Sequence, residues 1–231
     1  MTHSPTSFPA DAERQPDDLD ALVAAARALV VPGGRRFLGL TGAPGSGKST
    51  LAALLVDRLG DDAVLVGMDG FHLADEELVR LGRHPRKGAP DTFDAAGYVA
   101  LLHRLADQED PVVYAPRFDR ALEASIGSAV PVSRDTPLVI TEGNYLLADG
   151  PGWSDVRVLL DECWYVDPGE DTRLTRLIDR HVRHGRSREE AHERSHGSDG
   201  RNAEVVRASR SRATRIVRVP ALATIESESE R

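Results

Sequence analysis

The sequence contains little of several features that favour other classes of protein. It has one cysteine, Cys163, which cannot form an internal disulfide and lies in an apolar run at 163–166. We interpret this thiol as a small buried hydrophobic group and not as a nucleophile. No apolar run approaches the length of a membrane-spanning helix, and residues 1–20 are polar, Pro-rich and acidic, unlike a signal peptide. We therefore expect a cytoplasmic protein with no membrane partner.

Positive charge is also scarce in the chain as a whole. The net charge is -8, and there are only two lysines, Lys48 and Lys87, against 27 arginines. A general nucleic-acid binder would usually show a basic face, so we expect no nucleic-acid partner. The arginines are nevertheless concentrated in residues 173–188, and such a cluster can bind a phosphate while the whole protein stays acidic.

A chain of 231 residues suits one α/β domain with a sizeable core. We expect that domain at 17–220, with a disordered tail at 1–16 and a frayed tail at 221–231. Helices are predicted near 17–31, 48–59, 75–81, 94–107, 153–160, 170–184 and 202–209. Strands are predicted at 37–41, 63–66, 111–115, 138–141, 163–166 and 215–219, with an irregular extended piece at 125–132. This alternation predicts a three-layer fold, in which helices cover both faces of a mainly parallel sheet.

The most informative motif follows the first predicted strand. It has the pattern G-x-x-x-x-G-K-[ST], and it lies between an apolar strand and a helix, where such a loop can curl its amides around phosphate oxygens. The alternative, a glycine turn that caps a helix, explains the pattern less well. We expect a nucleoside triphosphate here, with Lys48 at the β- and γ-phosphates and Ser49 on Mg²⁺. The residues predicted to bind the nucleotide are Gly42, Ala43, Pro44, Gly45, Ser46, Gly47, Lys48, Ser49 and Thr50.

Two carboxylates follow other predicted strands at the same edge of the sheet, where ligands of parallel sheets bind. Asp69 lies between Gly67 and Gly70, and it could deprotonate or orient an acceptor hydroxyl; it could also only cap a turn. Glu142 ends the buried strand 138–141 and is a predicted Mg²⁺ ligand, together with Ser49. His72 is either a local hydrogen-bonding residue or part of the acceptor pocket.

Arginines at positions 173, 176 and 180 lie on one face of a predicted helix. They could form a solvated face that pairs with Asp179 and Glu170. They could instead close over the triphosphate as a lid, together with the segment at about 183–200, and stabilise the transferring group. We predict that Arg173 binds the nucleotide, and that Lys48, Arg176 and Arg180 act in catalysis.

Taken in order, these segments resemble the phosphoribulokinase/uridine kinase/pantothenate kinase group of phosphate-loop kinases. The resemblance extends over most of 37–186. The motif sequences are most similar to those of bacterial nucleoside/nucleotide kinase-like proteins, some of them named as fructose-transport-system kinases. The runs that carry it are GAPGSGKST, MDGFHL, RKGAPDTFD, YAPRFDR, EGNYLL and the arginine helix at 171–186.

The resemblance implies the P-loop fold with an arginine-rich lid, and it implies roles for several residues. Asp69 corresponds to the acid near the acceptor hydroxyl and Glu142 to the strand-end acid. The loops around them line acceptor pockets in such proteins. The residues expected to contact the acceptor are Asp69, His72, Arg86, Lys87, Arg117, Glu142, Tyr145 and Asn202. The residues around Asn202 differ from the group's motif at this place in the sequence.

The sequence thus predicts a kinase that uses ATP and Mg²⁺ to phosphorylate a hydroxyl of a small molecule. Nucleoside-like acceptors rank first, a sugar such as fructose second, and pantothenate-like compounds third. An ATP-binding regulatory switch that acts through a partner is the alternative from another class. A hydrolase is disfavoured because no residue obviously positions water. A homodimer is possible, since dimers are the commonest oligomers.

Overall fold

The computed structural model describes residues 17–219; the tails predicted at 1–16 and 221–231 lie outside them. The helices are α1 (Leu19–Arg27), α2 (Lys48–Leu59), α3 (Asp75–Arg80), α4 (Ala95–Ala106), α5 (Glu170–Arg183), α6 (Arg188–His196) and α7 (Ser198–Ala208). The strands are β1 (Arg36–Thr41), β2 (Ala63–Gly67), β3 (Val112–Asp119), β4 (Ala124–Ser133), β5 (Leu138–Gly143), β6 (Glu162–Val166) and β7 (Arg215–Val217). None of the helices in 17–219 is both long and apolar enough to cross a bilayer.

Five strands form a parallel sheet in the order β2-β5-β1-β6-β7. All the neighbouring pairs in this order are parallel, so each connection between paired strands crosses over a face of the sheet and places helices there. The mainly parallel α/β fold expected from the alternation of strands and helices is confirmed.

Alternate residues of the central strands enter two separate cores, as the period of a strand requires. On β5, Leu138 and Ile140 pack with α1 and α2, whereas Val139 faces α4 and α7. On β6, Trp164 joins the first core and Cys163 the second. Cys163 is therefore buried among apolar groups, and desolvation raises the pKa of its thiol, in agreement with its interpretation as a small core residue.

The chain between α4 and β5 forms a separate antiparallel hairpin of β3 and β4. Its inner face packs on the core through Val113, Ala115 and Val132. The bounds of two sequence predictions are corrected here. The strand predicted at 111–115 continues to Asp119. The piece predicted at 125–132 extends over 124–133 as a strand paired to β3. It is irregular as expected, since the register shifts in its middle, where Ser128 has a φ of 56°.

Three helix predictions are also corrected. Residues 188–196, expected to be an irregular part of the lid, form α6, which begins with a capping box between Ser187 and Glu190. Helix α7 starts at Ser198 and not at 202. The helix predicted at 153–160 is instead a series of turns with one 3₁₀ turn at 157–159, followed by the extended Leu160.

Candidate active site

The loop between β1 and α2 has a backbone that only glycine adopts easily. Gly45 and Gly47 have φ values of 86° and 93°, in the left-handed region. A Cβ atom added to Gly42 would lie 2.6 Å from Ser46 Oγ and 2.7 Å from the carbonyl oxygen of Val166. The loop therefore closes tightly on itself and directs its backbone toward the start of α2, where helix amides and the helix dipole favour an anion.

Two buried side-chain oxygens at this loop have no hydrogen-bond partner within residues 17–219. They are Ser46 Oγ and Glu142 Oε2. Buried polar atoms are almost always paired in a complete structure, so both atoms fit a site that is completed by a ligand. A hydroxyl among loop amides suits phosphate oxygens, and a carboxylate oxygen suits a cation such as Mg²⁺ or its bound water.

The register of the sheet brings Lys48 and Glu142 together. Glu142 pairs with Leu40 on one side and with Gly67 on the other, at the carboxyl ends of all three strands. Burial lowers the pKa of Lys48, while the charges of Glu142 and Asp69 raise it. Burial likewise raises the pKa of Glu142, while the Lys48 charge lowers it. Each charge thus offsets part of the desolvation of the other beside the phosphate loop.

Asp69 lies two residues beyond β2, on a 3₁₀ turn at 68–71. Its carboxylate is partly exposed and lies 3.6 Å from the Arg120 guanidinium. Its backbone carbonyl is 2.8 Å from Nδ1 of His72. The backbone therefore holds Asp69 just beyond the carboxyl edge of the sheet, and its carboxylate faces a cavity.

Two cavities meet beside the phosphate loop. The larger, about 750 Å³, includes loop residues Gly45 to Thr50 and helix α5. The smaller, about 490 Å³, includes Asp69 and reaches α6 and α7. Lys48, Arg120 and Arg180 line both cavities. A phosphoryl group that passes from one cavity to the other would move past these three cations.

The arginines of α5 have different surroundings. Arg173 is buried, bonds Glu170 at 2.6 and 2.9 Å, and donates to the carbonyl of Pro44 at 2.9 Å. Its guanidinium is thus committed to bracing the phosphate loop, which corrects its assignment as a nucleotide ligand. Arg176 and Arg180 line the larger cavity, and desolvation lowers the pKa of Arg180.

Of the residues predicted to contact the acceptor, Asp69, His72, Lys87 and Asn202 line the smaller cavity. The ring of His72 lies between Phe93 and Phe118, at centroid distances of 4.1 and 4.6 Å. Lys87 makes an ion pair of 2.8 Å with Asp75. These contacts give the cavity one aromatic side and one cationic side.

The structure does not place four other predicted acceptor residues at either cavity. Glu142 is buried at the end of β5, close enough to Lys48 for their charges to interact. Arg86 pairs with Asp91 on the surface. Arg117 is exposed on β3, and its neighbour Phe118 points into the cavity instead, since successive side chains of a strand alternate. Tyr145 is fully buried and donates its hydroxyl proton to the carbonyl of Gly88 at 2.6 Å. Tyr145 therefore positions the loop that carries Lys87 and does not itself reach the cavity.

Several cavity residues were missed by the sequence predictions. They are Phe118, Arg120, Glu123, Asn144, His181, His184, Arg194 and Asp199. Arg186, expected in the lid over the triphosphate, also lines this cavity. Arg120 and Asn144 lie within YAPRFDR and EGNYLL, two of the runs that carry the family resemblance. Their position in these runs was the signal that could have identified them. The residues from α5 to α7 come together only through the packing of α5, α6 and α7, which the sequence did not indicate.

A P-loop at the carboxyl edge of a five-stranded parallel sheet, with two adjoining cavities and an arginine-bearing helix, defines a P-loop kinase. The sequence model of the Phosphoribulokinase / Uridine kinase family matches residues 37–220. The chain belongs to this phosphoribulokinase/uridine kinase family, as its motifs predicted.

Individual relatives agree with this assignment. The chain is 37% identical over 176 residues to "Putative uridine kinase C227.14" of Schizosaccharomyces pombe, covering 71% of this chain and 75% of the relative. It is 39% identical to a crystal structure named "putative fructose transport system kinase" from Silicibacter sp. TM1040, with a TM-score of 0.79 and coverage of 87% and 98%. YFH7 from Saccharomyces cerevisiae shares the fold at 19% identity, with a TM-score of 0.74 and coverage of 88% and 99%.

Proposed function

We propose that the protein is a cytoplasmic kinase, a single catalytic domain at 17–220, that transfers the γ-phosphoryl group of ATP to a hydroxyl of a small molecule. One observation carries the proposal. A cavity at the phosphate loop and a cavity at Asp69 meet at Lys48, Arg120 and Arg180. A donor and an acceptor bound in these cavities would meet beside these three cations, which is the arrangement that phosphoryl transfer requires.

The larger cavity suits ATP. Gly45 and residues 47–50 of the loop line this cavity, and the buried Ser46 hydroxyl, which has no partner among the described residues, belongs to the same loop. Lys48 would neutralise the β- and γ-phosphates, and Arg176 extends the cationic lining along α5. Ser49 and Glu142 would hold Mg²⁺, which supplies charge neutralisation at the phosphates when it is bound.

The smaller cavity suits the acceptor. Asp69 accepts the hydroxyl proton as the acceptor oxygen bonds to the γ-phosphorus and the bond to the β,γ-bridging oxygen of ATP breaks. The products are the phosphorylated acceptor and ADP. Lys48, Arg120 and Arg180 stabilise the charge on the equatorial oxygens during this step. No covalent bond to the enzyme is needed.

Among acceptors, we favour nucleoside-like compounds, since a relative named as a uridine kinase and the family itself support them. A sugar such as fructose is the alternative, supported by the neighbour whose name refers to fructose transport; a pantothenate-like compound is the third. A regulatory switch acting through a partner is the alternative from another class. An acceptor cavity of about 490 Å³ next to the phosphate loop favours the enzyme.

ADP release from the purified protein, measured over a panel of nucleosides, sugars and vitamin precursors, tests this proposal. The variant Asp69→Asn should keep ATP binding and lose transfer by roughly 10²- to 10⁴-fold, because it lacks the base. The matched control Asp61→Asn changes an exposed carboxylate after α2 and should leave transfer unchanged. Transfer at the wild-type rate by Asp69→Asn would refute the assignment. A response of ATP turnover only to a macromolecule would favour the switch.

A further inference from the structure

The lining of the smaller cavity carries an excess of positive charge. Its acids are Asp69, Glu123 and Asp199. Its permanently cationic side chains are Lys48, Lys87, Arg120, Arg180, Arg186 and Arg194. Three histidines, His72, His181 and His184, add further nitrogen donors. Even if every acid neutralises one cation, positive charges remain without a counter-charge.

The acids of the site are already engaged. Arg120 lies beside Asp69 at 3.6 Å, and Lys87 approaches Glu123 at 3.9 Å. His181 Nε2 lies 2.7 Å from Asp199, in a pair whose side chains are each 13% exposed. The three acids that line the cavity therefore already have partners. None of them pairs with Arg186 or Arg194.

Arg186 and Arg194 face this cavity and, like Arg180, have no close ion pair in the described part of the chain, although the hydrogen bonds of Ser187 and, to a lesser extent, the Arg186 charge lower the pKa of the Glu190 carboxyl. Within residues 17–219, neither guanidinium donates a hydrogen bond or makes an ion pair, and Nε of Arg194 is buried with no partner. A buried donor on a charged group that stays unsatisfied costs more than a surface one. Helix α6, which holds Arg194, is anchored through buried Ala191 and Ser195, so Arg194 is held at the cavity by packed structure.

Neither arginine lines the cavity that we assign to ATP. The larger cavity has cations of its own, and Arg186 and Arg194 line only the smaller one. The basic residues of the larger cavity are Lys48, Arg120, Arg176, Arg180 and Arg183. The unmatched charge thus lies on the acceptor side, away from the phosphate loop.

We infer that the acceptor carries an anionic group, a carboxylate or a phosphate, which Arg186 and Arg194 bind while its hydroxyl faces Asp69. The inference rests on the proposed function and narrows its substrate class to hydroxylated anions. A guanidinium offers paired N–H donors that match either anion. A nucleoside-like acceptor then enters as its monophosphate, and a sugar enters as its phosphate or its acid.

Matched acceptor pairs test the inference through turnover. Uridine with uridine 3′-monophosphate, which keeps its 5′-hydroxyl free, and fructose with fructose 6-phosphate test a phosphate; panthenol with pantothenate tests a carboxylate. We expect kcat/KM for ADP release to be at least about tenfold higher for the anionic member of the pair that is used, since charge-assisted hydrogen bonds are worth about one to two powers of ten. Equal or better turnover of the neutral members would overturn the inference while leaving the kinase assignment intact.

Direct binding tests it without turnover. Inorganic phosphate and acetate are titrated calorimetrically into the protein saturated with Mg²⁺ and a non-hydrolysable ATP analogue. The double variant Arg186→Gln/Arg194→Gln should lose about tenfold or more in affinity for the anion, and the control Arg188→Gln/Arg201→Gln, on exposed positions of α6 and α7, should not. Affinity for the ATP analogue should stay the same in both variants.

The outcomes separate the two proposals. Unchanged anion affinity in the double variant, or no anion binding by the wild type, overturns the acceptor inference. Failure of the ATP analogue to bind the wild type overturns the proposed kinase instead. If the double variant unfolds, the single variant Arg194→Lys is used instead. It keeps the charge but removes the paired N–H donors of the guanidinium, and it should still weaken anion binding.

Discussion

At the scale of single residues, Arg120 is the side chain that links the two halves of the site. It lines both cavities, its guanidinium lies 3.6 Å from the Asp69 carboxylate, and it follows directly after the end of β3. Its charge also lowers the pKa of Arg180, which faces the same junction. A cation in this position can both hold the proposed base and stabilise charge on a transferring group.

Replacement of Arg120 by Gln should lower kcat by roughly 10²- to 10³-fold, the cost of removing one preorganised donor to developing charge. The KM for ATP should change little, because the loop and Lys48 remain. The matched control is Arg117→Gln, three residues earlier on the exposed side of β3; steady-state kinetics should show no more than a twofold effect. Equal loss in both variants would mean that the hairpin as a whole, and not Arg120, is responsible.

Residues of the site differed in how well the sequence predicted them. Lys48, Asp69 and Glu142 were identified because each is tied to the end of a strand or to a glycine motif that can be read locally. Arg120 was missed because β3 was predicted to stop at 115, so its alternation could not be followed to Phe118 and beyond. Arg173 was misassigned because spacing on a helix gives a shared face but not the buried partners Glu170 and Pro44 that fix it.

At the scale of elements, one carbonyl of the segment 84–92, that of Gly88, accepts hydrogen bonds from two distant parts of the chain. The Tyr145 hydroxyl donates to the oxygen of Gly88 at 2.6 Å, and Asn202 Nδ2 donates to the same oxygen at 3.3 Å. The segment is thus joined both to the strand-end motif after β5 and to α7. Lys87, next to Gly88, enters the acceptor cavity as a result.

The variant Tyr145→Phe should lower stability by about 1 kcal/mol, the net value of one hydrogen bond, which corresponds to about 2–4 °C in Tm for a chain of this size. The KM for the acceptor should rise and that for ATP should not, since Gly88 borders only the smaller cavity. Tyr114→Phe, on an exposed ring, is the control for both measurements. A rise in the KM for ATP alone would contradict this role.

The elements that the sequence predicted well are those with apolar periodicity. Strands β1 and β5 and helices α2 and α4 have it, and their approximate bounds were correct. Helix α6 has almost none, because it buries only the small side chains of Ala191 and Ser195, and its capping box at 187–190 was the one local signal. The pairing of β3 with β4 is local, since only residues 120–123 join the two strands. It was not predicted because β3 was expected to end at 115.

At the scale of the whole molecule, two buried histidines connect the site to the stability of the fold. His72 lies between Phe93 and Phe118, and burial lowers its pKa below the ordinary 6.5 despite the nearby Asp69. His181 on α5 contacts Asp199 on α7, and burial lowers its pKa as well. Each histidine therefore binds its proton more weakly in the folded protein than in the unfolded chain.

The sign of the pH dependence follows from this difference. Well above pH 6.5 both histidines are neutral in both states, and the fold has its full stability with respect to them. As the pH falls through 6.5, the unfolded chain takes up protons first, so the free energy of unfolding decreases and continues to do so until the folded pKa values are passed. We expect Tm to fall between pH 7 and pH 5 by several degrees, before most carboxylates begin to be protonated.

Variants assign this loss of stability to particular groups. His72→Gln should reduce the slope of Tm against pH over the range 7 to 5, because it removes one group that binds a proton preferentially in the unfolded chain, whereas His103→Gln, on the exposed side of α4, should leave the slope as in the wild type. Differential scanning calorimetry in buffers of equal ionic strength measures both. A wild-type Tm that is constant or rises as the pH is lowered from 7 to 5 would show that these histidines do not keep their neutral form in the fold.

Since His72 and His181 both face the acceptor cavity, a bound anion should also reduce the slope of Tm against pH. Its negative charge favours the protonated histidines in the folded state.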